Sequence, residues 1–285
     1  MRERSQHFDP RQVMKKETFE VFHYRDPKPN LVEVHHHDFY EVYYLLAGEV
    51  EFWVDGKILR MQPGQLLLIN PMELHRPVIN DAKAAYERIV IWINKEYLES
   101  LDTQQLKLSG CFDTTQPGHL HLIKPAASER PALTTCIAEL VRESYSKDYG
   151  SEICAYGLFL QLMVQLNRMS HSAEENHEEQ QLSPLVQEAL TYISEHISQE
   201  LSLERIAAQF YISKYHLSHA FTREIGISIY RYILMRRLLL ARQMLTAGES
   251  AGQVCRNCGF SDYTSFYRAF KSEYGISPRE YASLN

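Results

Sequence analysis

Short runs of β-forming residues, divided by turn residues, fill the chain from about residue 18 to 125. Val42-Tyr43-Tyr44-Leu45-Leu46, Val50-Glu51-Phe52-Trp53-Val54 and Leu66-Leu67-Leu68-Ile69 are strand-like, and Ala47-Gly48, Asp55-Gly56 and Pro63-Gly64 separate them. Short strands at this spacing predict a barrel or sandwich. The period then changes. Leu133, Ile137, Leu140 and Val141 fall at i, i+4, i+7 and i+8, which predicts a helix. A second helix, Ile153 to Met169, is apolar on almost every side, so two of its faces need cover. One can pack on the barrel, and the other fits the same helix of a second chain. Ser170 to Ser183 is polar and acidic and reads as a linker. From Pro184 onward the pattern is helical throughout. The expected division is a polar arm over 1–18, a barrel over 19–129, a helical dimerisation hairpin over 130–170, a linker over 171–183, and an all-helical domain over 184–285.

The last region contains an internal repeat. Leu217-xxx-Phe221-xxxx-Gly226-x-Ser228 recurs as Phe266-xxx-Phe270-xxxx-Gly275-x-Ser277, 49 residues on, while Ile206 and Ser213 pair with Val254 and Ser261 at an offset of 48. One extra residue therefore separates the two turns. Each copy has helix-turn-helix grammar. In the first, a short helix from Leu203 is followed by a turn at Tyr211-Ile212, with Ser213 as N-cap. The next helix puts Leu217, Ala220, Phe221 and Ile225 on one face and Tyr215, Ser218, His219 and Thr222 on the other. In the second copy Ser261 is the expected cap. Phe266, Ala269, Phe270 and Tyr274 face inward, and Thr264, Tyr267, Arg268 and Lys271 face outward. Both outward sets can hydrogen-bond to base edges. Between them, Ile229 to Thr246 forms one helix of roughly 27 Å, near the ~34 Å between major-groove segments one turn apart. Arg231, Arg236, Arg237 and Arg242, on or beside it, are expected to meet phosphates.

Charge alone would not have pointed to nucleic acid. The net charge is −6, but it is uneven: from Ser183 on there are eleven Lys and Arg against nine Asp and Glu, leaving nineteen against twenty-seven before it. The residues of the repeat carry the reading instead. Ile206-Ala207, Ser213 through Phe221, and Gly259-Phe260-Ser261-Asp262-Tyr263 with Phe266, Phe270-Lys271, Gly275-Ile276-Ser277-Pro278 and Tyr281 together resemble the AraC-type transcriptional regulators over about Leu203 to Ala282. That resemblance implies two recognition helices, after Ser213 and after Ser261. It also implies double-stranded DNA as partner, a small-molecule effector, a homodimer and contact with RNA polymerase. Activation is the commoner role in such regulators. The resemblance calls for no enzymatic activity and no cofactor. Cys255-Arg256-Asn257-Cys258 departs from the family pattern, replacing the usual start of the second scaffold helix. The repeat places both cysteines at core positions, and packing is favoured over a redox or metal pair.

The barrel has chemistry of its own. His35-x-His37-xxx-Glu41-xxxxxx-Gly48 resembles the first motif of cupin barrels. His75 stands where the second motif would put its histidine, although Asn70 and Met72 replace the usual Pro and Gly before it. On a single strand, period two would align His35, His37, Glu41 and Tyr43 on one face, with His36 on the other, solvated face. Tyr43 and Trp53 are expected to add apolar walls. The expected occupant is a small polar metabolite, with a sugar as first choice. A metal ion on His35, His37, Glu41 and His75, in a sensor or a cupin enzyme fused to a helical domain, is the alternative. A protein-binding adaptor without DNA contact is a third reading, which Arg268 and Lys271 on the outward face disfavour. The residues after Met1 lack an apolar stretch. The longest apolar run, Ile153 to Leu160, is too short for a bilayer, and five scattered cysteines fit a reducing compartment. The expectation is a cytoplasmic protein that does not engage membranes.

Overall fold

The computed structural model describes residues 12–26, 32–79, 86–115, 119–172 and 182–284. Most of the acidic linker stretch and the first eleven residues of the expected arm lie outside them. The chain falls into two compact units, Met1–Gln180 and Gln181–Asn285.

The first unit is built from two sheets. Strands β1 (Phe19–Asp26), β7 (Tyr86–Ile93), β2 (Tyr40–Ala47), β5 (Leu66–Ile69) and β8 (Leu122–Ile123) form one, in that spatial order. Strands β4 (Lys57–Met61), β3 (Val50–Val54) and β6 (His75–Val78) form the other. The β3–β4 hairpin turns at Asp55 and Gly56, both with positive φ, as a tight two-residue hairpin turn needs. Alternation along the strands divides the core in two. Tyr40, Val42, Tyr44, Ile89, Ile91 and Ile93 pack with α2 (Arg130–Tyr145) and α3 (Ser151–Ser172). Tyr43, Leu45, Val90, Leu67 and Ile69 pack instead with Phe52 and Val54, filling the space between the sheets. A short helix α1 (Lys95–Ser100), capped by the Asn94 side chain, follows β7.

Helix α3 is less uniformly covered than its composition implies. Ala155, Phe159, Leu162, Met163 and Leu166 are fully in the core, so Leu162 belongs to the fold of a single chain and not to a second chain's contact. Ile153 is 78% exposed and Leu160 39%. With Gly157 and Gln161, also exposed, they make one stripe at i, i+4, i+7 and i+8. Among the described residues no helix is long and apolar enough to cross a membrane.

The second unit contains α4 (Pro184–Glu195), α5 (Leu203–Gln209), α6 (Lys214–Ile225), α7 (Ile229–Thr246), α8 (Ala251–Asn257), α9 (Tyr263–Tyr274) and α10 (Pro278–Leu284). Ser202, Ser213, Ser228 and Ser250 each cap the helix that follows. Two details differ from the sequence reading. Asp262, not Ser261, caps α9: its carboxylate accepts from Ser265 N at 2.8 Å. The cap pair is thus Ser213 and Asp262, at the same offset of 49 as the helices they start, and the extra residue lies within the turn. Cys255 and Cys258 sit at the end of the scaffold helix α8 rather than its start, and Ser250 and Gln253 form a full capping box there. Both cysteines are buried in the core with Phe266 and Phe270, the Cys258 Sγ lying 3.5 Å from Met244 Sδ. Burial pushes the Cys258 thiol up to about 12, and it behaves as a small apolar side chain.

The turns carry a second asymmetry. Gly259 has φ +77°, and a Cβ there would come within 2.7 Å of the Ile197 carbonyl oxygen. The equivalent residue of the first copy is Tyr211, at φ +54° and 97% exposed. The same left-handed turn is made twice, once by a residue suited to it and once by one that is strained there.

Candidate functional site

The polar residues of the first unit converge inside it. His35 and His75 face each other across a short antiparallel bridge: His35 N donates to His75 O at 3.1 Å, and His75 N to His35 O at 2.9 Å. His37 precedes β2, and its carbonyl accepts from Met72 N at 2.8 Å. Met72 adopts φ +72° in the bend leading to β6. It keeps the left-handed backbone for which a glycine would be the usual choice, and this bend delivers His75 beside His37. The ring centroids of His37 and His75 are 4.8 Å apart, and those of His35 and His75 4.2 Å. Glu41, one residue into β2, turns its carboxylate to within 3.5 Å of His37 Nε2 and accepts from Trp92 Nε1 at 2.9 Å.

The four polar residues do not lie on one strand face. Only Glu41 and Tyr43 are in β2, while His35 and His37 come from the extended segment before it. Their convergence depends on the bridge to His75. His36 is also buried, at 9% exposure, and not solvated. Trp53 is 1% exposed but does not line the interior: Phe52 and Val54 beside it take that face, and Trp53 stands on the opposite side of β3.

Each of the three rings is oriented by its own backbone. Nδ1 of His35, His37 and His75 lies 2.8–2.9 Å from the carbonyl oxygen of Glu33, Phe39 and Glu73 respectively. A carbonyl can only accept, so Nδ1 carries the proton and a neutral ring presents a bare Nε2. Burial depresses the His35 pKa to about 4 and drives His75 well below its ordinary value, aided by neighbouring histidines. Nε2 of His37 and of His75 is buried without a hydrogen-bond partner among the described residues.

Further along the interior lies a group that sequence reasoning missed. Arg88 pairs with Asp26 at 2.6 Å and lies over the rings of Tyr24 and Tyr86, 4.8 and 4.4 Å from their centroids. The hydroxyls of Tyr43 and Tyr86 are buried without partners among the described residues. The signal was present in β7, where Ile89, Ile91 and Ile93 alternate with Arg88, Val90 and Trp92. From Ile89 on, one face is apolar, and the other is mixed.

In the second unit, α6 and α9 turn their apolar faces inward, as expected. Leu217, Phe221, Ile225, Phe266 and Phe270 are buried, and Ala269 and Tyr274 pack against that core. Tyr215, His219, Thr222, Thr264, Arg268 and Lys271 are exposed, and Ser218 and Tyr267 half-buried. The arginines of α7 are less free than expected. Arg237 donates to the carbonyls of Ile197 and Gln199 at 3.1 and 2.6 Å, bracing that loop against Gly259. Arg242 donates to the Tyr281 hydroxyl at 2.7 Å, Arg231 pairs with Glu273, and Arg236 is half-buried. Arg237 and Arg242 therefore hold the fold rather than stand ready for phosphate.

Residues 18–183 match the profile of the AraC-like ligand binding domain, and residues 206–283 that of a helix-turn-helix domain. An HTH-type transcriptional activator RhaS from Klebsiella pneumoniae is 33% identical over 124 residues, 43% of each chain. A RhaS from Salmonella arizonae is 24% identical over 247 residues, 86% of each chain. Among solved structures, the C-terminal domain of AraT, a response regulator from Geobacillus stearothermophilus, is 31% identical. It covers 36% of this chain and 88% of that one, with a TM-score of 0.36. The chain belongs to the AraC family of transcriptional regulators, with an AraC-like ligand-binding domain and a helix-turn-helix DNA-binding domain.

Proposed function

We propose that this protein is a cytoplasmic transcriptional activator that reads two adjacent major-groove segments through the outward faces of α6 and α9. The observation that carries this reading is the pairing of two amphipathic helices at equivalent positions of a repeat. Both have buried apolar inner faces and exposed hydrogen-bonding outer faces. Tyr215, Ser218, His219 and Thr222 serve one segment, and Thr264, Tyr267, Arg268 and Lys271 the other. The RhaS relatives are transcriptional activators by name, which supports activation, with RNA polymerase as the further partner.

The effector is a small polar metabolite, a sugar by first choice, held inside the barrel. Arg88, Asp26, Tyr43, Tyr86 and Glu41 offer it donors and acceptors amid aromatic surface. The chain pairs with a second copy along the exposed stripe of α3, where Ile153 and Leu160 stand out of the core. It catalyses no reaction. The test is operator binding with and without candidate metabolites. Glu41→Gln is expected to abolish the effector's influence while leaving effector-free operator binding intact. A Glu41→Gln protein that responds normally places the effector elsewhere.

A further inference from the structure

The histidine end of the barrel has a feature that a purely organic ligand does not account for. Bare Nε2 lone pairs of His37 and His75 and an oxygen of Glu41 all lie within 4.8 Å of one another, and all three residues are buried. Acceptor atoms gathered this closely in a buried site repel one another unless a cation lies among them. The separation of His37 Nε2 from Glu41 Oε2, 3.5 Å, is too long for a hydrogen bond. It is close to the ~3.4 Å expected between two ligands about 2.1 Å from one tetrahedral ion. Around the cluster, the backbone carbonyls of Phe39 and Glu73 fix the imidazole tautomers, and Trp92 Nε1 anchors the Glu41 carboxylate by donating to Oε2, the oxygen nearest His37. Such outer contacts orient metal ligands.

We propose that the barrel holds one divalent transition-metal ion on His37 Nε2, His75 Nε2 and the Glu41 carboxylate. Two imidazoles and one carboxylate suit Fe(II), Mn(II), Co(II), Ni(II) or Zn(II) and disfavour Ca(II) and Mg(II). His35 packs against His75 and takes no place in the donor set. Three protein ligands leave coordination positions open for oxygen atoms of an effector, so the inference deepens the reading of the barrel as the sensory domain and rests on it.

The experiment uses the full chain without a histidine tag, stripped by a chelator and then titrated calorimetrically with Zn(II), Co(II), Ni(II) or Mn(II) alone. One equivalent per chain is expected, together with visible absorption from bound Co(II) and a rise in melting temperature of the wild-type protein. Glu41→Gln and His75→Gln are each expected to weaken binding at least roughly 100-fold. His121→Gln, which removes a histidine paired with Glu73 at 3.0 Å outside the donor set, is expected to bind as wild type. Should Glu41→Gln and His75→Gln fail to fold, the wild-type Co(II) spectrum decides: a spectrum of an ion with nitrogen ligands supports the site, and that of hydrated Co(II) overturns it. Substoichiometric binding, or binding that survives both substitutions, also overturns it. Operator binding is measured on the same preparations. Metal binding that fails while operator binding persists refutes this inference alone, and loss of operator binding in the wild type refutes the regulator reading.

Discussion

The two units of this protein place their polar chemistry on opposite sides of their cores. In the first, His35, His37, Glu41 and His75 are all at most 6% exposed, held by nearby backbone carbonyls and by the Trp92 indole. In the second, Tyr215, His219, Arg268 and Lys271 lie on the solvent side of helices whose inner faces are buried apolar packing. A small ligand is enclosed, so its site must be desolvated and pre-oriented. DNA is larger than the domain that reads it, so the reading surface stays outside. The costs differ accordingly. Burial holds His35 and His75 below their ordinary pKa, and the histidines depend on a bridge and a strained bend to meet. Surface residues of α6 and α9 cost the fold little and are free to vary with the operator.

That contrast is sharpest where it can be broken. The largest effect is expected from Leu162→Glu, which buries an unpaired carboxylate in the core shared by α3 and the five-stranded sheet. The first unit should unfold, a loss of several kcal/mol seen by calorimetry. Leu160→Glu, two positions back on the exposed stripe, should leave the melting transition in place and shift sedimentation toward monomer. Unfolding by Leu160→Glu would mean that the face has been misread. Next is Arg268→Ala, which should weaken operator binding by about 1–3 kcal/mol, roughly 5- to 150-fold, if the side chain reads a guanine. Thermal stability should be unchanged, because the residue is exposed.

The paired turns give smaller effects of opposite sign. Gly259→Ala should destabilise the second unit by about 1–3 kcal/mol, since both its φ and the Ile197 carbonyl oppose a Cβ. Tyr211→Gly, at the equivalent place, should cost little or gain up to about 1 kcal/mol. Urea unfolding of the two variants side by side reads the difference. The smallest effect is a pH dependence confined to the first unit. Burial, then the nearby His121, hold His119 down to about 4. As pH falls below 6.5 the unfolded chain takes up a proton that the folded chain refuses, so stability should decline between pH 6.5 and 4 and level off below. Both tryptophans, Trp53 and Trp92, belong to the first unit, so their fluorescence follows its unfolding alone. His119→Gln should flatten that part of the slope.

The helical grammar of the second unit was readable because each of its signals is local: apolar spacing, a cap and a left-handed turn within a dozen residues. Even there the cap moved by one. Ser261 and Asp262 can both cap, and only the register with Ser213 selects Asp262. Arg237 and Arg242 look like phosphate contacts in sequence, but their partners lie about 40 residues away, in the Ile197–Gln199 loop and at Tyr281. In the barrel, the HxHxxxE spacing picked out residues that converge in space, while the single-strand picture behind it failed. What joins those residues is the His35–His75 bridge, a long-range pairing that no local pattern specifies. Trp53 was misplaced for the same reason, while Trp92, which sequence reasoning passed over, reaches Glu41: which face of a strand looks inward is fixed by its neighbours.

The central claim is that two helices, one from each copy of the repeat, read DNA together. Selection of a duplex from random sequence by the full chain, followed by base-resolution protection mapping, tests it most directly. The expected result is two protected major-groove segments about one helical turn apart. His219→Ala should selectively lose protection over one segment, and Arg268→Ala over the other. A single protected segment, no enriched sequence, or loss of the same segment in both variants would contradict it.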